Sequence, residues 1–151
     1  MLKNKTKVIA LIPARGGSKG VRKKNLKTMN GYPLIYYTIK AALLSISVDE
    51  VWVSTESDEI RQTAERFGAK VIRRPKYLAE DHVSAVEVID HFIKNSQNLN
   101  LRQSSILVYL QPTSPFRKSA HIDSALEKMD KLGIYKLISV VKCKESPYKA
   151  F

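Results

Sequence analysis

Short apolar segments alternate along this sequence with segments whose apolar residues recur every three or four positions. The five apolar segments are 8–13, 51–55, 69–72, 105–110 and 137–141. Each is short and contains β-branched residues, so each predicts a buried strand. Strands that alternate with helices predict an α/β fold, in which a mostly parallel sheet carries helices on both faces. The crossovers between parallel strands should be right-handed.

Four helices are predicted between the strands. Ser57, Ser84 and Ser119 are predicted helix caps, Pro33 suits the first turn of the earliest helix, and Gly68 predicts the end of the second. The residues predicted to face the core are Leu34, Tyr37, Ala41 and Leu44 in the first helix, Ile60, Ala64 and Phe67 in the second, Val86, Ile89 and Ile93 in the third, and Ile122, Ala125 and Met129 in the fourth. Without an internal repeat or a linker, residues 1–151 predict one domain.

The composition bears on the location of the protein. No apolar run approaches the roughly 18 to 20 residues that cross a bilayer. The early run Val8–Ala14 is short and contains a proline, which argues against a secretory signal. Cys143 is the only cysteine, so there is no disulfide framework and no cysteine zinc site. We therefore expect a cytoplasmic protein without a membrane partner.

The net charge is strongly positive. The chain has 26 Lys and Arg against 14 Asp and Glu, which gives a formal charge of +12. Such a balance indicates an anionic partner. Nucleic acid, a nucleotide and an acidic metabolite all fit, and only charge gathered at one site distinguishes them.

A glycine-rich loop, residues 14–25, follows the first predicted strand directly. Its sequence, ARGGSKGVRKKN, combines three glycines with five cationic side chains: Arg15, Lys19, Arg22, Lys23 and Lys24. Ligands of doubly wound sheets bind beyond the carboxyl ends of the strands. Glycines allow backbone N–H groups to approach a ligand and converge on it. The loop therefore predicts a phosphate site.

Two common phosphate motifs do not match this loop. A P-loop would need a glycine five positions after Gly16, where Val21 stands, and no glycine precedes Lys-Ser or Lys-Thr. The dinucleotide fingerprint would need a glycine at Ser18. The spacing thus indicates a different class of phosphate loop.

The segment IPARGGSKGVRKKN, residues 12–25, resembles the signature loop of the CMP-N-acylneuraminate synthetases, also called acylneuraminate cytidylyltransferases. Four further segments resemble the family in the same order: VWVSTESDEI, FGAKVIRRPKYLAEDHVS, LQPTSPFR and LISVVKCKESPYK. The resemblance covers residues 7–151, and several ordered motifs make it far more specific than one.

The resemblance implies a three-layer Rossmann-like nucleotidyltransferase fold and a sugar-activating enzyme. Family members use CTP and a divalent cation, expected to be Mg²⁺, to join a nine-carbon sugar acid to CMP with release of pyrophosphate. It further implies a homodimer for the full-length form and a place in sialic acid, lipopolysaccharide or capsule biosynthesis. N-acetylneuraminic, legionaminic and pseudaminic acids all remain open as substrates. An octulosonate is less favoured, because that loop normally lacks the GGSKG form.

The family motifs also imply roles for individual residues. The implied nucleotide-binding residues are Pro13, Ala14, Arg15, Gly16, Ser18, Lys19, Asn25, Arg74 and Ser84. Arg15, Lys19 and Lys24 are the implied catalytic residues, which hold the triphosphate and stabilise the departing pyrophosphate. Gln111 is the implied contact to the sugar acid. Such a set suits nucleotidyl transfer, which depends on positioning and on neutralising phosphate charge.

The sequence departs from the family pattern at its end. Family members usually exceed 200 residues, so we expect a C-terminally truncated nucleotide-binding domain whose metal and sugar-carboxylate residues lie beyond Phe151. After the fourth predicted strand, where nucleotidyltransferases often place a metal-binding carboxylate, the chain reads YLQPTSP. Asp81 is the best remaining acidic candidate, although a loop-ordering role suits it better. The metal ligands stay unassigned, and a partner would be needed to cover the last predicted strand.

Two other functions remain open. A non-catalytic nucleotide-binding fragment is one, because no metal carboxylates are found. A basic RNA-binding domain is the other, since Tyr32, Tyr36 and Tyr37 lie near basic residues. No RNA-binding signature appears, and the helical spacing of the tyrosines favours packing. We therefore expect no nucleic-acid partner.

Overall fold

A computed structural model describes residues 6–18, 20–96 and 105–140. Its strands are β1 (Val8–Pro13), β2 (Thr28–Met29), β3 (Tyr32–Pro33), β4 (Glu50–Thr55), β5 (Lys70–Arg73) and β6 (Ile106–Tyr109). Its helices are α1 (Leu34–Leu43), α2 (Asp58–Arg66), α3 (Ala85–Asn95) and α4 (Ser119–Leu132), with 3-10 turns at Lys24–Leu26 and Lys76–Ala79. No helix in these ranges is long and apolar enough to cross a membrane.

Four strands form one parallel sheet in the order β5-β4-β1-β6. β1 lies inside the sheet, where Ala10 is opposite Val51 on one side and Val108 on the other. Its side chains alternate between the two faces, as in any strand. Because all four strands run the same way, their carboxyl ends meet at one edge.

Helices cover both faces of this sheet. On one face, residues of α1, α2 and α4 pack with Val8, Ala10 and Ile12 of β1. On the other face, Phe92 of α3 packs with Ile9 and Leu11. The predicted α/β architecture with three layers is therefore confirmed.

Two helix starts follow the predicted chemistry. Ser57 Oγ accepts a hydrogen bond from the Ile60 N–H at 3.4 Å and caps α2. Ser84 and Glu87 form a reciprocal capping box at the start of α3. α4 differs slightly, because the cap is Lys118 and Ser119 is the first helical residue. Gly68 follows α2 with a φ of +87°, a conformation that favours glycine.

The predicted core-facing stripes of α1, α3 and α4 are correct only in part. In α1, Ala41 is buried as predicted, together with Ile35, Ile39 and Ala42, whereas Leu34 and Tyr37 are half-buried and Leu44 is exposed. In α3, the predicted Ile89 is half-buried and packs against the core, but Val88 and Phe92 are the buried residues and the predicted Val86 and Ile93 are exposed. In α4, Ile122 is buried as predicted, but its partner is Leu126, while Ala125 and Met129 are only half-buried. In α1, α3 and α4, apolar residues lie on two adjacent stripes, and the stripe that is buried is the one that packs against the sheet.

Two further elements differ from the prediction. β2 and β3 form a small antiparallel hairpin around Asn30 and Gly31, which have φ angles of +46° and +86°. Asn-Gly is a strong hairpin signal, but a hairpin was not predicted from the sequence here. The predicted fifth strand is wrong over residues 137–140, which have no strand structure and expose Ile138 and Val140. Val141 lies outside the described residues.

The helix faces can be tested with two matched valines of α3. Val88 is 4% exposed and Val86 is 72% exposed. Val88→Ala should lower the free energy of unfolding by about 2 kcal/mol, because it removes two buried methyl groups and leaves a cavity. Val86→Ala should leave it unchanged or raise it by roughly 0.5 kcal/mol, because alanine favours helix. Urea denaturation measures both, and equal losses would contradict this assignment of the faces.

Glu50 joins three strands at the amino edge of the sheet. Its carboxylate lies 2.6 Å from Lys7 Nζ and 3.1 Å from Lys70 Nζ, and Trp52 Nε1 donates to it at 2.8 Å. Burial alone raises the pKa of Glu50, but the hydrogen bonds from Lys7, Trp52 and Lys70 outweigh it and lower that pKa to about 2. The charged form is therefore strongly favoured in the folded chain.

This carboxylate should make folding stability depend on acid. Because the pKa of Glu50 is lower in the folded chain than its ordinary value of 4.5, its contribution is complete above that pH and is lost towards about pH 2. Glu50→Gln should cost about 2 kcal/mol at pH 7, and the difference from the unsubstituted chain should shrink below pH 4.5. Urea unfolding across this range tests the prediction. Glu65→Gln, at a half-exposed carboxylate, is the control, and a constant difference at Glu50 would refute the idea.

Candidate functional site

A cleft of about 260 Å³ lies at the carboxyl edge of the sheet. Parts of three chain segments line it: 13–25 from the end of β1, 74–88 from the end of β5 into the first turn of α3, and 109–113 from the end of β6. This is the edge where ligands of doubly wound sheets bind. Segments about 100 residues apart in sequence thus share one concave surface because the strands are parallel.

Most of the predicted site residues converge on this cleft. Those that line it are Pro13, Arg15, Ser18, Lys24, Asn25, Arg74, Ser84 and Gln111. Ala14 does not, because it is fully buried behind the loop and its N–H donates to the Ser54 carbonyl at 2.9 Å. Gly16 lies on the far side of the loop and lines a second pocket with Ser57. Lys19 lies outside the described residues.

Arg15 is held on the cleft wall by two partners. Its Nη1 lies 2.6 Å from Asp81 Oδ1 and donates to the Ala79 carbonyl at 3.3 Å. Asn25, which is buried, donates from Nδ2 to the Arg15 carbonyl at 3.0 Å and so ties the two ends of the glycine-rich loop together. The contact to Arg15 gives Asp81 the loop-ordering role that the sequence favoured.

Ser84 belongs to the cleft and to a helix at once. Its hydroxyl donates to Glu87 Oε2 at 2.8 Å and accepts from the Glu87 N–H at 3.3 Å. The residue predicted to approach a nucleotide base therefore also caps α3, which fixes the rear wall of the cleft. The Ser84 backbone N–H also donates to Glu87 Oε2 at 2.8 Å, and this bond together with the one from the hydroxyl holds the pKa of the Glu87 carboxylate below its usual range.

Gly16 is the glycine that the packing of the loop requires. Its N–H donates to Glu56 Oε1 at 2.7 Å, and a Cβ built there would lie 3.0 Å from Ser57 Cβ. A Cβ on Gly17 or Gly20 would meet nothing within 4 Å. We expected the loop amides to converge on a ligand. The Gly16 amide instead donates to Glu56 within the protein.

Arg74 is a buried cation at the floor of the cleft. It is 6% exposed, and its backbone N–H donates to the Thr55 carbonyl at 3.1 Å. Its Nε lies 3.6 Å from Glu56 Oε2, which is an ionic contact beyond hydrogen-bond range, so that Nε has no hydrogen-bond partner within the described residues. Burial lowers the pKa of Arg74, against the opposing attraction of Glu56. A desolvated cation with incomplete hydrogen bonding is suited to an anionic or polar ligand.

Glu56 is the site residue that sequence reasoning missed. It directly follows β4 and contacts both Gly16 and Arg74. A carboxylate at the carboxyl end of a parallel strand can indicate a site residue. The motif VWVSTESDEI predicted only a strand and a helix.

The described residues contain no group of three or more His, Cys, Asp or Glu that could hold a metal ion. Glu80 and Asp81 are the carboxylates among the cleft residues, and Asp81 is paired with Arg15. The described part of the cleft therefore does not supply a complete metal site, and the expected Mg²⁺ stays a prediction.

The family can now be decided. A family model described as Cytidylyltransferase matches residues 9–150. The chain belongs to this family. The match includes the glycine-rich loop, Arg74 and Gln111, and it confirms the resemblance first seen in the motifs. The family assignment thus rests on a match that covers nearly the whole of this chain.

Individual relatives agree with the family. The chain is 43% identical over 133 residues to N-acylneuraminate cytidylyltransferase B of Danio rerio. The aligned region covers 88% of this chain and 30% of that protein. It is 40% identical over 122 residues to CMP-N,N'-diacetyllegionaminic acid synthase of Legionella pneumophila. Here the aligned region covers 80% of this chain and 52% of that protein. The chain therefore spans about a third to a half of the length of these relatives.

A solved structure shares the fold. The structure of CMP:2-keto-3-deoxy-manno-octonic acid synthetase complexed with CTP superposes with a TM-score of 0.69 and 28% sequence identity. The superposition covers 83% of this chain and 48% of that one. The three-layer nucleotidyltransferase fold is thereby confirmed.

The contrast between adjacent glycines gives a direct test of the loop packing. Gly16→Ala should lower the free energy of unfolding by about 1 to 3 kcal/mol, because the new methyl group overpacks against Ser57. Gly17→Ala, whose Cβ meets open space, should change it by no more than about 0.5 kcal/mol. Thermal and urea unfolding measure both. A harmless Gly16→Ala would show that the loop does not press against the start of α2.

Proposed function

We propose that this chain is the CTP-binding part of a cytidylyltransferase that activates a nonulosonic, sialic-type acid. One observation carries the proposal: the cationic residues Arg15, Lys24 and Arg74 line a single cleft at the carboxyl edge of a nucleotidyltransferase sheet. Arg15 and Lys24 come from the glycine-rich loop, and Arg74 comes from the floor. A triphosphate is an anion large enough to engage both at once.

In the proposed reaction a hydroxyl of the sugar acid attacks the α-phosphorus of CTP. A new oxygen–phosphorus bond forms and the hydroxyl gives its proton to water, while the bond from the α-phosphorus to the bridging oxygen of the β-phosphate breaks and pyrophosphate leaves with the electron pair. Arg15, Lys24 and, from the sequence, Lys19 would stabilise the charge that develops on the leaving group. Gln111, on the opposite wall after β6, would contact the sugar acid.

Other parts of the proposal rest on the family. Mg²⁺ would supply further neutralisation of phosphate charge when bound. The full-length form would be a homodimer, and the enzyme would be cytoplasmic and serve the making of CMP-sugars for surface polysaccharides. Relatives named for N-acylneuraminate and for N,N'-diacetyllegionaminic acid are almost equally similar, so the substrate is proposed at the level of the nonulosonic class.

The RNA-binding alternative loses its main support in the structure. Tyr32 and Tyr36 stack on each other with centroids 4.2 Å apart, and Tyr36 meets the edge of Phe67 at 4.8 Å. The Tyr37 hydroxyl donates to the Met29 carbonyl. Tyr36 and Tyr37 are half-buried in these contacts, and Tyr32 stays 45% exposed but stacks on Tyr36, so the rings contact one another and Phe67.

Calorimetric titration with CTP and Mg²⁺ tests the site. Arg15→Ala should weaken CTP binding roughly tenfold or more, since a hydrogen bond to a charged group is worth about 1.5 to 3 kcal/mol. Lys131→Ala is the control, because this exposed lysine of α4 is paired with Glu127. Equal effects of the two substitutions would mean diffuse charge and would refute a built site.

A second measurement separates binding from turnover. Pyrophosphate release is followed after N-acetylneuraminic acid, CTP and Mg²⁺ are mixed with the chain. Release supports a catalytically competent unit. CTP binding without release supports the non-catalytic fragment instead.

A further inference from the structure

Four consecutive residues, 54–57, form the support beneath the cleft. The Ser54 carbonyl accepts from the Ala14 N–H at 2.9 Å, and the Thr55 carbonyl accepts from the Arg74 N–H at 3.1 Å. Glu56 accepts from the Gly16 N–H, and Ser57 packs against Gly16. The end of β4 thus contacts both the glycine-rich loop and the segment that begins at Arg74.

Within this support, only Glu56 makes its contacts to both elements through a side chain. Oε1 receives the Gly16 N–H at 2.7 Å, and Oε2 lies 3.6 Å from Arg74 Nε. The side chain of Glu56 is 14% exposed and that of Arg74 is 4% exposed. A single carboxylate therefore joins a loop on one side of β4 to a guanidinium on the other.

The charge of Glu56 is unexpected at this position. A negative charge beside a phosphate site repels an anionic ligand, and the repulsion is larger where solvent is excluded. Simple attraction therefore does not explain a carboxylate here. Its geometry does, because a charged hydrogen bond and an ionic contact let one side chain hold both the Gly16 amide and the Arg74 guanidinium.

We propose that Glu56 is a positioning residue, which holds the glycine-rich loop and Arg74 in one relative geometry so that both address the same phosphate-bearing ligand. This inference rests on the proposed function. Arg74 is set by its backbone contact to Thr55 and by Glu56, and Arg15 is set one residue before the amide that Glu56 binds. The ligand engages groups that the protein has already placed, which lowers the cost of ordering them on binding.

The sign of one substitution decides the proposal. Glu56→Gln removes a negative charge next to an anionic ligand, so charge alone predicts tighter CTP binding. Positioning predicts the opposite, because the amide group of glutamine brings a donor towards Arg74 and the ionic contact is lost. We expect CTP to bind about tenfold more weakly, since misplacing a site by about 1 Å can cost up to about 10²-fold. Unchanged or tighter binding would overturn the proposal.

Glu65→Gln is the matched control. Glu65 lies on α2, has a side chain that is 49% exposed and pairs with Arg61 of the same helix at 3.2 Å. The substitution makes the same change of charge, and the contact that it removes does not involve the glycine-rich loop or Arg74, so CTP binding should stay unchanged or tighten slightly. A loss at Glu65 equal to that at Glu56 would also overturn the proposal.

Two further readouts separate positioning from a general loss of structure. The Gly16 amide resonance in a ¹⁵N-labelled chain should move upfield in Glu56→Gln and stay in place in Glu65→Gln, because a short bond to a carboxylate is lost only in the first. Glu56→Asp keeps the charge but is one methylene shorter, so it cannot reach both partners. If Glu56→Gln does not fold, weaker CTP binding by Glu56→Asp supports the proposal and unchanged binding overturns it.

The outcomes also separate this inference from the function on which it depends. If the unsubstituted chain binds CTP with Mg²⁺ and Glu56→Gln binds it equally well, only the role of Glu56 fails. If the unsubstituted chain does not bind CTP, the proposed function fails and the inference with it.

Discussion

The parallel pairing of β1 on both of its edges is the constraint on which the site depends. β4 and β6 flank β1 and run in the same direction, so residues 13–25, 54–57 and 109–113 all emerge at one edge of the sheet. An antiparallel β6 would send Gln111 to the opposite edge and divide the cleft. Helices cover β1 on both faces, which explains why its sequence is apolar at successive positions rather than at alternate ones.

The fold could be predicted where local chemistry decides the structure. The apolar runs located four strands, and Ser57 and Ser84 located two helix starts, because cap hydrogen bonds form within four residues. Prediction failed where a distant partner decides. Val86 and Val88 fit helical periodicity equally well, and only the sheet beneath α3 selects Val88. Residues 137–140 are as apolar as a strand, yet apolar character does not supply a neighbouring strand to pair with.

The sequence predicted which residues form the site but did not predict the contacts between them. Motif order identified Arg15, Arg74 and Gln111 as residues that would meet, and the parallel sheet brings them to one cleft. The pattern of glycines did not reveal that Gly16 alone is closely packed, because that packing depends on Ser57, which lies 41 positions later. Glu56 was not predicted because it is a single carboxylate, and a single residue forms no pattern of spacing that would mark it as part of a site.

Arg15 and Arg74, two of the cations that line the cleft, are paired in physically different ways. Arg15 and Asp81 have side chains 35% and 40% exposed, so their ion pair is worth at most about 1 kcal/mol and water or a phosphate oxygen replaces either partner at little cost. Arg74 and Glu56 are largely buried, and separating them would leave a desolvated charge without compensation. The triphosphate that we propose as ligand would therefore replace Asp81 at Arg15 more readily than it would replace Glu56 at Arg74. This difference would give the cleft a fixed floor and an adaptable wall.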